Sequence, residues 1–496
     1  MKRLASLFAV AAVVAVAGCG SDTSSSPLGE GLGYLPKDAP FVVSIDTNLQ
    51  GSQYKSIGAI LGKFPFGGQI KQSLETRLRQ SSKVSYNADI KPILGNPFVV
   101  GGIHAKSVTD GRKDNEFVGS LKAKNKDKLV SLVKKQGAKE DGDKNGAKLY
   151  KDNNGAEFAI KDDVLVVAGS KPMLEAALAR RDGNSHMDQG TFDKGVEGLP
   201  KDALVRVYAN VAGLIRSDPK SKDALRVKWI NSLTTLGATL QTRDDALNVD
   251  FKLKNKPGLS DSDLPVASGD TPPGVVERSG EIGFGLRDPS QLIKFAQSAA
   301  QAVNPAGFGQ YSAGKTQIQQ RYHVNVDTDL IDQLNGDLAT TTSVNGKSSS
   351  RVALKDPAAF KRTLKKLGPA LSGLSSGAAT VTRPKKGQDL YGLSLRGGRK
   401  FVFGVIGKVF VVSNDAAGAK RFASESPTEI GNAKGAGVLK ADAEQVANAA
   451  LARLGPRLGL GGAFGSRLFT GPLGALNGSV SSTTSGMSGK LTLGID

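Results

Sequence analysis

Cysteine is nearly missing from this chain: among 496 residues only Cys19 carries a thiol. No internal disulfide can form, so burial has to hold the fold. Histidine is almost as scarce, and His104, His186 and His323 are scattered without the spacing of a metal-binding set. Aromatic residues are 6% of the chain, with Trp229 the single tryptophan, which argues against a platform that stacks bases or sugar rings. The apolar stretch Leu4 to Ala17 is shorter than the roughly twenty residues a membrane-spanning helix needs, and it ends in Gly18, Cys19, Gly20, Ser21 and Asp22.

What is present at that end is informative. Lys2 and Arg3 precede the apolar stretch, and Val16, Ala17, Gly18, Cys19 resemble the bacterial lipobox, whose thiol takes a diacylglyceryl group before a peptidase cuts ahead of it. Residues 1–18 are then a lipoprotein signal peptide, Cys19 is the lipidation site bearing palmitate-type chains, and the protein is expected outside the cytoplasm, lipid-anchored to a bacterial cell membrane. Residues 19–33 are polar and glycine-rich and are expected to form a flexible tether of roughly 20 Å.

Lys and Arg number 66 against 46 Asp and Glu, a formal net charge of +20; removing Lys2 and Arg3 leaves it near +18. Outside the cytoplasm the polyanions within reach are anionic lipid headgroups and wall polymers rather than nucleic acid. Lys122, Lys124, Lys126, Lys128, Lys134 and Lys135 read as a basic helix face opposite Leu129, Leu132 and Val133, a contact for an anionic surface next to a lipid anchor.

From Tyr34 onward the same order of segments occurs twice, displaced by about 240 residues. Phe41, Val43 and Ile45 alternate as a strand, as do Ile282, Phe284 and Leu286, the latter before an Asp288 cap and Pro289. The helix of Leu129 and Val133 matches that of Phe360 and Leu364, with Asn125 and Asp356 as caps in register. Leu149 and Tyr150 match Leu390 and Tyr391, Val164–Ala168 matches Val409–Ser413, and Leu236–Leu253 matches Leu476–Leu493. The pattern predicts an α+β fold of two tandem duplicated domains, residues 34–256 and 275–496, joined by a Pro/Gly-rich linker at 257–274. Each is expected to be a mainly antiparallel sheet with helices packed on one face.

Leu35, Pro36, Lys37, Asp38, Ala39 and Pro40 ahead of a strand and a helix, repeated as Leu199, Pro200, Lys201, Asp202 and Ala203, resemble the opening of a bacterial domain family of unknown function. That family occurs in secreted or lipid-anchored envelope proteins, especially of actinobacteria. The resemblance implies an address and a fold and brings no catalytic motif.

Three motifs imitate chemistry. Gly309 to Thr316 fits the phosphate-loop expression, yet it follows the end of a helix instead of a strand, and reads as a glycine-rich connecting loop. Gly373 to Gly377 imitates a nucleophile elbow with no histidine after it in the chain. Asp141, Asp143, Asn145 and Asp152 have calcium-loop spacing, against which stand Lys144, Lys148 and the aspartate at the twelfth place; a polar helix-to-strand turn is the plainer reading. The sequence therefore points to a noncatalytic cell-envelope binding or scaffold module with no required cofactor. A carrier of lipid or another apolar ligand in a sheet-helix cavity and a hydrolase with a discontinuous active site are the alternatives. The ligand, protein partners and oligomeric state are not written in it.

Overall fold

A computed structural model describes residues 26–65, 67–69, 76, 84–105, 116–153, 155–278, 280–343, 345–374, 379–384, 389–429, 435–458 and 470–496. Cys19 and the lipobox-like residues before it lie outside the described residues. The chain forms two compact units: one of residues 1–222, 233–254 and 494–496, the other of 223–232 and 255–493.

Among the described residues, the complete α-helices of the first unit are α1 (Pro27–Leu32), α2 (Ser52–Lys63), α3 (Lys126–Lys135), α4 (Lys171–Asp182), α5 (Gln189–Gly195) and α6 (Val211–Ser217). The strands are β1 (Phe41–Ile45), β2 (Phe98–Gly102), β3 (Phe117–Lys122), β4 (Lys139–Lys144), β5 (Ala147–Lys151), β6 (Glu157–Lys161), β7 (Val164–Ala168), β8 (Val205–Ala209), β9 (Leu233–Arg243) and β10 (Ala246–Asn255). They pair in the order β4-β5-β6-β7-β3-β2-β1-β8-β9-β10, and the mapped ladders are antiparallel.

The second unit takes α7 (Lys228–Ser232) and then α8 (Pro289–Val303), α9 (Pro305–Tyr322), α10 (Val326–Asp329), α11 (Pro357–Leu374), α12 (Ala416–Ser424) and α13 (Ala443–Leu458). Its strands are β11 (Glu281–Leu286), β12 (Leu338–Ser343), β13 (Ser348–Ala353), β14 (Ala379–Thr382), β15 (Leu390–Leu395), β16 (Lys400–Ile406), β17 (Val409–Ser413), β18 (Gly437–Asp442), β19 (Leu473–Thr483) and β20 (Gly486–Ile495). Their order is β14-β15-β16-β17-β13-β12-β11-β18-β19-β20. Both units thus have one connectivity, and the fold is α+β with antiparallel sheets. Tyr150 stacks on Phe158 with centroids 5.6 Å apart, and Tyr391 on Phe403 at 5.3 Å, at equivalent strands of the two sheets. Asn125 caps α3 through the Lys128 amide at 2.9 Å, and Asp356 caps α11 through the Ala359 amide at 2.9 Å.

Helices on one face only is the expectation that fails. In the first unit Leu32, Leu174, Leu178 and Phe192 pack on one side of the sheet with Val118, Val164 and Val166, whereas Tyr54, Leu129 and Val133 pack on the other with Leu121, Phe158 and Leu165. The second unit repeats this: Phe360 and Leu364 of α11 meet Tyr391 and Phe410, and Ala419 of α12 meets Val409 and Val411. Strands such as Val164-Leu165-Val166 are apolar on both sides, and each apolar face leaves water.

Two connecting segments are also more ordered than their composition suggests. Residues 26–33 of the expected tether form α1, whose Leu28 and Leu32 are buried; Pro27 at the first turn and the Ser26 hydroxyl, which accepts from the Gly29 amide at 3.1 Å, start the helix. Within 257–274, Leu264, Pro272 and Pro273 are buried, and Val275 pairs through both backbone bonds with Thr428. A few apolar side chains with a place to go outweigh the glycine and serine around them.

Candidate functional site

The six lysines proposed as one basic surface divide between the two faces of the first sheet. Lys122, near the end of β3, points to the α1 side, where its Nζ lies 2.8 Å from Glu30 and 3.7 Å from Asp163. Burial draws its ammonium down, but the Glu30 hydrogen bond and the two carboxylates outweigh that and hold it above its ordinary value. On the opposite face, the chain crosses at Lys124, whose stem lies over Gly95, and enters α3 at Lys126. Lys135 binds Asp89 at 2.6 Å and Lys134 reaches Glu140 at 4.0 Å. Burial raises the Asp89 carboxyl, but the bonds from Lys135 and the Ser85 amide, with the charges of Lys135 and Lys128, together prevail and lower it. Lys126 and Lys128 remain exposed. The charge run is a set of local ion pairs with two outward lysines.

The calcium-spaced segment is a β-hairpin. Asn145 at φ 50 and Gly146 at φ 71 make the two-residue turn between β4 and β5, the conformation that Asn-Gly favours. Asp141 is bound by Lys171 at 2.7 Å, which lowers its carboxyl; Asp143 stands opposite Lys148 in the ladder. Asn145 donates to Asp182 at 3.2 Å, and Asp152 accepts from the Ala156 amide at 2.7 Å beyond the far end of β5. The hairpin sends its carboxylates to separate partners, and among the described residues no group of three or more His, Cys, Asp or Glu is arranged to hold a metal. The helix-to-strand turn is corrected with it: the Asn-Gly pair was the signal.

Gly309 to Thr316 lies wholly inside α9, where backbone amides are engaged by carbonyls four residues back and cannot converge on phosphate. Lys315 instead binds Asp327 at 2.7 Å and lies 5.1 Å from the Tyr311 ring. The connecting-loop reading is overturned too, because Asn304, bonded to the Gly307 amide at 3.0 Å, and Pro305 start a helix that tolerates its glycines. Gly373 and Leu374 end α11, and the rest of the elbow lies outside the described residues. His186 Nδ1 contacts the Arg180 and Gly183 carbonyls at 3.2 and 2.7 Å, His323 is the left-handed C-cap of α9, and His104 is exposed.

Sequence reasoning missed two arrangements. After β1, Asp46 accepts from the Asn48 amide at 2.7 Å and its carbonyl accepts from Tyr54; burial foremost, with Asp202 adding, raises its carboxyl against that bond. Arg206 lies 5.3 Å from the Phe192 ring and 3.8 Å from Asp193, and Ser52 donates to Asp202 at 2.6 Å. This is a half-buried polar cluster at one end of a sheet. The other is the pair α8–α9. Only Pro289 and Ser290 of α8 and no residue of α9 are buried, whereas the equivalent α2 buries Gln53, Tyr54, Ser56 and Ile60. Phe295 meets Trp229 edge-on at 6.1 Å, and Gln297 donates to the Tyr311 hydroxyl at 2.8 Å, joining the two helices. An alternation of Ala, Gln and Gly without charge was the available signal.

A family model described as a protein of unknown function, DUF3352, matches residues 3–373. The chain belongs to this family. The DUF3352 match spans the first unit's strands and helices and, in the second, α8, α9 and nearly all of α11. No curated protein matches. Solved structures similar to part of the DUF3352 chain include crystal form I of TP0453, at 13% identity and TM-score 0.27, covering 48% of this chain and 82% of that one. Crystal form III of TP0453 matches at 11% identity and TM-score 0.26, covering 46% and 81%. A likeness this distant carries no argument. Among the described residues of the DUF3352 chain, no helix is long and apolar enough to cross a membrane.

Proposed function

We propose that this chain is a noncatalytic lipoprotein of an actinobacterial-type cell envelope, a binding or scaffold module held at the outer face of a membrane. The observation that carries the reading is the position of the lipobox relative to the fold. Buried α1 opens at Pro27 with Ser26 as its cap, so a lipid on Cys19 would leave only residues 20–25, at most about 20 Å of extended chain, between the bilayer and the first unit. Supporting it are the formal charge of +20 and the outward Lys126 and Lys128. A scaffold is favoured over an apolar-ligand carrier because side chains fill both faces of each sheet. The repeated connectivity supports a tandem duplication as the origin of the two units.

The test is metabolic labelling with a clickable palmitate analogue in a bacterial host. The natural chain should take label and fractionate with membranes, and Cys19→Ser should lose both. A natural chain that stays unlabelled removes the proposal.

A further inference from the structure

The α8–α9 hairpin combines a long uncharged stretch, an absence of acids and exposed large apolar side chains. From Phe295 to Gly314 there is no charged side chain, and from Pro289 to Tyr322 no Asp or Glu. Three of its large apolar residues are left in water: Leu292 is 40% exposed, Val303 39% and Tyr311 43%. Leu292, Ala296, Ala299 and Val303 recur at helical spacing and form a stripe on α8, while Val303, Pro305, Ala306, Phe308 and Tyr311 gather at the turn between the helices.

Cations stand behind the uncharged stretch. Lys294 and Lys315 bound it, held by Asp332 at 2.6 Å and Asp327 at 2.7 Å. Arg321 follows near the end of α9. Lys366 of α11 donates to the His323 carbonyl at 3.4 Å, and Ile318 and Tyr322 of α9 share a cluster with Leu367, bringing α11 against this end of the hairpin. Like the hairpin, α11 has no acid, and its Arg362, Lys365 and Lys366 are exposed, as is Arg321. Among the described residues these four pair with no carboxylate. The acids on the adjoining segment are few: Asp327 and Asp332 are engaged by the two lysines, and Asp329 accepts from the Asn325 amide.

An apolar tip backed by unpaired cations is the distribution that suits the boundary between acyl chains and anionic headgroups. Each uncharged arm is about 14 Å long, enough to enter that boundary by the 5–10 Å typical of interfacial helices and too short to cross the roughly 30 Å core. We propose that the α8–α9 hairpin is a bilayer-contact element that inserts its Val303–Tyr311 tip into an anionic phospholipid surface while Arg321, Arg362, Lys365 and Lys366 bind the headgroups. This deepens the membrane-face reading above and rests on it for the bilayer's presence; the contact itself needs no acyl group.

The test uses residues 19–496 with Cys19→Ser, so that neither the apolar leader nor a lipid anchor contributes, in flotation with phosphatidylcholine vesicles and with an equimolar phosphatidylcholine–phosphatidylglycerol mixture. Binding is expected to the mixed vesicles and to weaken with salt. Val303→Gln with Tyr311→Gln should cut partitioning by about tenfold or more, with an unchanged circular-dichroism spectrum, because the Gln297 bond to Tyr311 is one surface contact and neither side chain belongs to the core. Arg362→Gln with Lys365→Gln should weaken binding only on the anionic vesicles. No flotation of the parent chain, undiminished binding of the tip variant, or a loss seen instead with Lys126→Gln and Lys128→Gln would each overturn the proposal. So would a dimer in analytical ultracentrifugation that the tip substitutions dissolve, since a second copy would then cover the stripe. Palmitate labelling reports on the anchor separately, so failure of one reading leaves the other measurable.

Discussion

Asp263 shows how single residues set local stability in the second unit. It accepts from Lys228 Nζ at 2.6 Å and from the Ser260 amide and hydroxyl at 2.7 and 2.6 Å, and these bonds, the Lys228 one foremost, hold its carboxyl down at about 2, from an ordinary 3.8. A depressed carboxyl contributes stability that is complete above its unfolded value and lost as pH falls through the folded one. Asp263→Asn should therefore lower the thermal midpoint near neutral pH. The gap should narrow below about pH 4 and close near pH 2. Because Lys228 is 59% exposed, solvent screening keeps the effect to about 1 kcal/mol or less. A gap that does not vary with pH would show that shape, not charge, is at stake. Gly31 makes a different kind of contribution: a Cβ there would lie 2.9 Å from Val99 Cγ2 and 3.0 Å from Ser120 Oγ. The Ser120 hydroxyl donates to its carbonyl at 2.9 Å, so only glycine lets α1 settle this low on β3.

At the scale of elements, α1 is part of the first unit's core. Leu28 and Leu32, each worth roughly 1.5–3 kcal/mol when fully buried, lie in one cluster with Tyr34, Leu35, Leu174, Leu178 and Phe192. Glu30 adds its bond to Lys122. Removing residues 1–25 should leave the unfolding midpoint unchanged, whereas removing residues 1–33 should lower it sharply and expose dye-binding apolar surface. Equal midpoints for the two truncations would mean that α1 is dispensable. The contrast between α2 and α8 belongs here as well. Both follow the equivalent first strand of their unit, yet α2 buries side chains against β9, and α8 turns its apolar stripe outward.

For the whole molecule, the compact units do not part where the prolines are. Residues 223–232 belong with the second unit and 494–496 with the first, and 257–274 threads through the second unit with Leu264 fully buried. Brief proteolysis is therefore expected to leave 257–274 intact while exposed segments elsewhere are cut. Primary cleavage between Lys256 and Gly274, read by mass spectrometry, would restore a plain linker.

The sequence alone determined what depends on local order. Period-two strands, the Asn125 and Asp356 caps, and matched pairs such as Tyr150 with Tyr391 made the antiparallel α+β class and the repeated order of elements legible, because propensity and patterning act over a few residues. The proposed address lies in the same category, since a lipobox at Cys19 would be read by enzymes instead of by the fold. Tertiary structure alone decided which neighbours a side chain meets. It split Lys122 from the lysines of α3, since strand residues alternate sides, and turned Asp141 to Asp152 into a hairpin whose ligand-like oxygens diverge. It buried Leu28, Leu264 and Pro272 inside segments that read as tethers. It also left Leu292, Val303 and Tyr311 in water, because burial is a property of the surroundings, and those are assembled by the fold from segments apart along the chain.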